Sequence, residues 1–182
     1  MIVEETHLKG CFLLKPEVYT DERGYFFESF NKNDFFENTG LTIEFVQDNQ
    51  SHSSKGVLRG LHFQIDDFEQ AKLVRVIRGS VLDVCVDLRP DSPTFGRHYA
   101  TVLDAKEHHQ LFIPRGFAHG FLVQENDTIF SYKCDNFYNK DAERGIIYND
   151  KDINIDWNIS DSKLILSEKD KNLPSFKTYF NR

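Results

Sequence analysis

In the stretch VLRGLHFQ (residues 57–64), His62 and Gln64 stand two residues apart, so an extended chain turns both to one side. With a reference pKa of ~6.5, a histidine can accept a proton near neutrality. In a half-wet sheet the pair would meet water; on the inner wall of a small barrel it would point into a pocket. The same parity recurs along the chain. Lys72 shares a face with Val74 and Val76 in KLVRVIRG, Tyr132 with Phe130 and Cys134 in IFSYKC, Phe26 with Glu28, and Gln47 with Asn49. An ammonium or a phenol on an apolar face is costly if buried without a partner. Several strands therefore each place one polar group toward a common interior, His62 among them. The blander alternative has Lys72 snorkelling outward from a strand end and the Tyr132 hydroxyl at a rim. Arg59 falls on the opposite parity to His62 unless Gly60 marks a bulge.

The elements that must hold these groups are mostly strands. VLDVCVDLRP (81–90) alternates, with Leu82, Val84, Val86 and Leu88 on one face and Asp83, Cys85 and Asp87 on the other. YFFESF, IEFVQDN, VLRGLHFQ, KLVRVIRG, YATVLD, QLFIP, GFLV and TIFSYKC are further short runs, separated by turns such as RGS, RPDSP and IPRG. This rhythm, with 17 Phe and 7 Tyr to fill a β-rich core, predicts an all-β antiparallel sandwich or barrel rather than βαβ units. An eight-stranded roll leaves room inside for one small ligand. Helical signal is confined to NKNDFFENTG (31–40), with Asn31 at its start and Gly40 at its end, and to a segment around 161–171 where SEKD suits a helical turn.

At 182 residues the chain suits one domain. Its net charge of −7 argues against nucleic-acid or membrane-surface partners, but not against a phosphorylated ligand held by a few arginines. No run resembles a signal peptide or approaches the ~20 apolar residues of a membrane span. Cys11, Cys85 and Cys134 lack redox or metal spacing, and the expected setting is a reducing, cytoplasmic one. His108 and His109 in KEHHQ read as a solvated turn.

Taken together, FVQDNQSHSSKGVLRGLHFQ, QAKLVRVIRGSVLDVCVDLRPDSPTFG, IPRGFAHGFLV, YKCDNFY and LSEKD resemble the dTDP-4-dehydrorhamnose 3,5-epimerase family, over about residues 21–170. The resemblance implies a cupin-type jelly roll with a few short peripheral helices. It places the barrel core at about 40–135 of a single domain spanning 1–182, with N-terminal strands and a C-terminal segment packed on it. It implies inversion at C3 and C5 of a dTDP-linked 4-keto-6-deoxysugar in deoxysugar nucleotide synthesis, without a cofactor. It also implies a homodimer that exchanges N-terminal strands. A 5-only or 3-only epimerase, and a non-catalytic cupin that binds a nucleotide sugar, remain alternatives.

By the same resemblance His62 is the base beside the sugar ketone, Asp170 orients it, Tyr132 is the acid on the opposite face of the ring, and Lys72 sits near the keto oxygen. Substrate contacts carry over to Arg23, Phe26, Glu28, Gln47, Asn49, Arg59, His119 and Tyr138. His119 reads equally as a ligand contact and as a structural histidine supporting the site. Without the family pattern Asp170 is an ordinary surface acid. Many cupins hold a metal through a His-x-His pair, a Glu and a later His. Here the pair is His62-x-Gln64 and only His119 survives from the second motif, so no metal site is expected. The chain departs from the family pattern at Cys134, Phe137, Tyr148 and Asn158, none of them a proposed catalytic group.

Overall fold

The computed structural model describes residues 1–180. In chain order the first elements are strands β1 (Ile2–Glu5), β2 (Phe12–Lys15), β3 (Tyr19–Asp21) and β4 (Gly24–Phe26), then helix α1 (Lys32–Thr39). Strands β5 (Gln47–Ser53), β6 (Leu58–Gln64), β7 (Lys72–Arg78), β8 (Ser80–Asp87) and β9 (His98–Asp104) follow. The chain continues through β10 (Gln110–Ile113), β11 (Phe117–Val123), β12 (Thr128–Cys134) and β13 (Glu143–Gly145), and then the short helices α2 (Glu168–Lys171) and α3 (Phe176–Phe180).

Two antiparallel sheets face each other, one ordered β1-β2-β10-β7-β12-β5 and the other β13-β6-β11-β8-β9. Between them lies an interior layer that includes Val74, Val76, Val81, Cys85, Leu111, Phe121 and Phe130. Among the described residues no helix is long and apolar enough to cross a membrane.

The alternation in β8 is more than a wet-and-dry pattern, because both of its faces are covered. Val84, Val86 and Leu88 pack outward beneath Ile146, Tyr148, Ile153 and Trp157 of the C-terminal segment. Asp83, Cys85 and Asp87 turn the other way and are fully buried. Two carboxylates on the inner face need partners there. Asp83 meets His119, described below. Asp87 receives hydrogen bonds from the Arg89 backbone N–H (3.0 Å), Arg89 Nε (2.9 Å) and Nη2 (2.8 Å), Ser92 Oγ (2.5 Å) and Thr94 Oγ1 (2.6 Å). The RPDSP turn is thus wound around one carboxylate. Burial alone would raise its pKa, but the bonds from Arg89, Ser92 and Thr94 outweigh burial and bring it from 3.8 to about 2. Asp87→Ala is expected to cost about 2–4 kcal/mol in urea unfolding near neutrality. A carboxylate whose pKa is depressed on folding stabilises above its unfolded pKa. The gap between the two proteins should therefore close as the pH falls from 3.8 through about 2.

Helix α1 ends where the sequence predicts. Asn31 Oδ1 accepts from the N–H groups of Asn33 (3.0 Å) and Asp34 (3.3 Å). Gly40 takes a left-handed conformation (φ 72°) and donates to the Phe36 carbonyl. The helix buries Phe35 against Phe30 and Phe112 on the outer face of the six-stranded sheet.

The KEHHQ segment is a correction to the sequence reading. His108 is 8% exposed and lies against the rings of Tyr25 (centroids 4.6 Å apart) and Phe27 (4.7 Å). The guanidinium of Arg75 lies over Phe27 in turn. A polar turn was expected because the aromatic partners come from a hairpin about eighty residues earlier in the chain. That hairpin, β3–β4, pairs only with itself and joins neither sheet.

Candidate active site

The answer to the parity of His62 and Gln64 is a division of labour. Gln64 is buried and serves as a clamp. Its Nε2 donates to the carbonyls of Phe68 (2.7 Å) and Phe137 (3.1 Å), and its Oε1 accepts from the Asn139 N–H (2.6 Å). His62 lines a cavity of about 400 Å³, together with Asn49, Arg59, Lys72, His119, Tyr132 and Asp170. That volume suits one small ligand.

Arg59 reaches this cavity because β6 bulges. In the register with β11, His62 faces His119 and Arg59 faces Phe121, so three steps along β6 match two along β11. Gly60 occupies the extra position at φ +129°, and a side chain there would begin 2.5 Å from the Gly120 Cα. The bulge flips the parity and brings Arg59 to the cavity wall, where its Nη2 donates to Ser53 Oγ (3.1 Å).

His62 Nε2 lies 2.6 Å from Asp170 Oδ1, across 108 residues of sequence. Helix α2 presents the acid. Ser167 caps that helix by accepting from the Asp170 N–H (3.1 Å), and its hydroxyl donates to Asp170 Oδ2 (2.8 Å). Burial raises the Asp170 pKa, but the hydrogen bonds from His62 and Ser167 outweigh it and leave the carboxyl below its ordinary value. The acid is ionised, so it accepts from His62 Nε2–H and leaves the Nδ1 lone pair for chemistry.

Tyr132 and Lys72 complete the wall opposite β6. Tyr132 sits between Asn49 of β5 and Val74 of β7, and the Lys72 ammonium lies 5.8 Å from the centroid of its ring. Burial, with Cys134 and Glu143 adding to it, raises the phenol's pKa against the pull of Arg59, so Tyr132 stays protonated. Burial lowers the Lys72 pKa despite the opposing pull of Cys134, Asp83 and Glu143. Among the described residues Lys72 has no ion-pair partner, which leaves its charge directed at the cavity.

His119 is held by a second carboxylate. Its Nε2 lies 2.9 Å and 3.1 Å from the two oxygens of buried Asp83. The ring both lines the cavity and is fixed by a partner that the sequence reading did not name. No group of three or more His, Cys, Asp or Glu among the described residues is placed to hold a metal.

Gln47 and Tyr138 stand at the edge of this arrangement. Gln47 Nε2 donates to Asn49 Oδ1 (3.1 Å), and Gln47 Oε1 accepts from the Tyr138 N–H (3.0 Å). The Tyr138 hydroxyl donates to Glu143 (2.8 Å), which also pairs with Lys169 (2.5 Å). Lys169 lines the cavity and Glu143 anchors it, and sequence reading missed both. A lysine and a glutamate near polar turns carry no signal of their own.

Arg23, Phe26 and Glu28 do not join the cavity of their own chain. They lie on and just beyond the self-paired hairpin, where Arg23 is bonded to Asp21, Glu28 accepts from Asn31, and Phe26 is 68% exposed. Phe26 and Glu28 have the parity of one face, but among the described residues the hairpin has no strand ladder to the sheets that build the cavity.

A closed all-β roll of two antiparallel sheets, with polar side chains gathered inside and short helices outside, defines a cupin-type jelly roll. The family described as dTDP-4-dehydrorhamnose 3,5-epimerase matches residues 5–178. A Shigella flexneri protein of that name is 49% identical over 176 residues, 97% of this chain and 96% of that relative. The crystal structure of the Elizabethkingia anophelis enzyme of that name is 53% identical, with a TM-score of 0.94 over 98% of this chain and 97% of that one. A Legionella pneumophila dTDP-6-deoxy-D-glucose-3,5-epimerase, solved in complex with dTDP-4-keto-L-rhamnose, is 42% identical, with a TM-score of 0.91 over 96% and 92% of the two chains. The chain belongs to the dTDP-4-dehydrorhamnose 3,5-epimerase family.

Proposed function

We propose that this isomerase converts dTDP-4-dehydro-6-deoxy-D-glucose to dTDP-4-dehydro-L-rhamnose by inverting C3 and C5. The observation that carries the reading is the 2.6 Å contact of His62 with Asp170 in the same cavity as Tyr132. A C4 ketone acidifies the hydrogens on C3 and C5, because the electron pair left by either proton moves onto the carbonyl oxygen as an enolate. His62 Nδ1 takes the proton, and Asp170 fixes the tautomer and stabilises the imidazolium. Lys72 stabilises the oxyanion, charge that appears only during reaction. The Tyr132 phenol returns a proton to the carbon from the other face, which inverts it. Solvent then reprotonates the phenolate and takes up the proton from the imidazolium.

Arg59 and Lys169 are the cations suited to the diphosphate, with Gln47 and Asn49 as hydrogen-bonding neighbours and Tyr138 beside them. A homodimer accounts for the exposed hairpin. Arg23, Phe26 and Glu28 then serve the nucleotide in the partner's cavity, and exposed Tyr19, Tyr25 and Phe26 are covered. In deuterium oxide the enzyme is expected to place solvent deuterium at both C3 and C5 of the 4-keto sugar. Label at one carbon alone would identify a single-site epimerase, and no label at either would leave a protein that only binds nucleotide sugars.

A further inference from the structure

Strand β5 contributes a cavity hydroxyl that the chemistry above leaves unused. Its alternation turns Gln47, Asn49, Ser51 and Ser53 to one side. Gln47 and Asn49 are bonded to each other, and Ser53 Oγ accepts from Arg59. Ser51 Oγ is buried and makes no hydrogen bond. Among the described residues it is the only buried side-chain nitrogen or oxygen in that condition. Ser51 lines the same cavity as His62 and Tyr132. Opposite it on β12 is Phe130, whose ring stacks on Phe121 (centroids 4.1 Å apart) and lies parallel to His119 (6.1 Å, 19°). These faces offer the hydroxyl no good acceptor, and a buried polar group left unpaired destabilises the fold that contains it.

We infer that Ser51 Oγ is a substrate-binding group: a turn about its Cα–Cβ bond brings it from the cavity wall to an oxygen of the hexose ring, and its bonding is completed only when a nucleotide sugar occupies the cavity. The hexose is the part of the ligand that must lie between His62 and Tyr132. Asn49 faces Tyr132 in register, and Ser51 is the next residue on that face. A neutral hydroxyl, at once donor and acceptor, matches a ring hydroxyl or keto oxygen. The cations Arg59 and Lys169 suit the diphosphate instead. The inference rests on the proposed reaction for the identity of the ligand, and it adds specificity, because a buried group built to bond a ligand oxygen penalises ligands that lack one.

Two variants test it, Ser51→Ala and Ser51→Cys, the second nearly isosteric but a poor donor. Affinities are measured for dTDP and for dTDP-glucose, which adds only the hexose, alongside kcat/KM and thermal unfolding. Both variants are expected to bind dTDP within twofold of the unsubstituted chain and dTDP-glucose about 5–10-fold more weakly, with a similar fall in kcat/KM. The Tm of Ser51→Ala should not fall, because an unpaired hydroxyl has left the interior. Unchanged dTDP-glucose affinity in either variant overturns the inference. An equal loss for dTDP also overturns it, because the contact is then to the diphosphate. A lower Tm with loss of both ligands overturns it in favour of a structural role. If the unsubstituted chain exchanges no solvent deuterium into the sugar, the proposed reaction fails, and the ratio of the two affinities still decides the role of Ser51.

Discussion

His62→Ala is expected to lower kcat by a factor of roughly 10³–10⁴ while leaving the affinity for dTDP within about threefold. In the proposed reaction the imidazole takes a proton from the sugar, whereas the diphosphate is assigned to two other residues of the same cavity, Arg59 and Lys169. Solvent deuterium incorporation at C3 and C5 should fall with turnover, because the missing step is proton abstraction itself. Asp170 acts through His62, so the two should not add. Asp170→Ala alone should be strongly impaired, yet adding it to His62→Ala should cost almost nothing more. Additive losses would mean that Asp170 touches the substrate independently. Exchange at the unsubstituted rate in His62→Ala would assign the base to another residue.

That pair also marks where the sequence stops speaking for itself. Period-two alternation is local, so it identifies the strands and places Lys72, Tyr132, Asn49 and His62 on inner faces before any coordinates exist. The ends of α1 are equally local, since Asn31 and Gly40 are capping chemistry within one turn. Asp170 is different. It is 108 residues from His62, on a helix of four residues, and only the family motif singles it out. The pairing of Asp83 with His119 was not legible, because periodicity says which residues share a face, not whether both faces are covered. His108 failed for the same reason, its aromatic partners being remote in sequence. Arg23, Phe26 and Glu28 show the limit from the other side. Phe26 and Glu28 were read as sharing a face and both line one cavity beside α1, but the pattern of a self-paired hairpin does not say which elements it will lie against.

The second large effect is expected from a residue that does no chemistry. Gly60→Ala should destabilise the protein by about 2–6 kcal/mol, seen as a lower urea midpoint. Two costs combine. The backbone there has φ +129°, which L side chains rarely adopt, and the new methyl carbon would start 2.5 Å from the Gly120 Cα and 2.9 Å from the His119 carbonyl oxygen. Both neighbours are backbone, so no side chain can swing aside. The nearby Gly120 has the same constraint from its side, with a Cβ position 2.8 Å from the Arg59 carbonyl oxygen. Two glycines back to back let β6 and β11 approach closely enough for the bulge to form. Relief of the clash can come only by parting these strands or undoing the bulge. Undoing it restores simple alternation and turns Arg59 away from the cavity that His62 still faces. Survivors of Gly60→Ala that fold should therefore lose affinity for the diphosphate more than they lose the His62–Asp170 contact. A variant as stable as the unsubstituted chain, with unchanged dTDP affinity, would show that the bulge does not depend on the absent side chain.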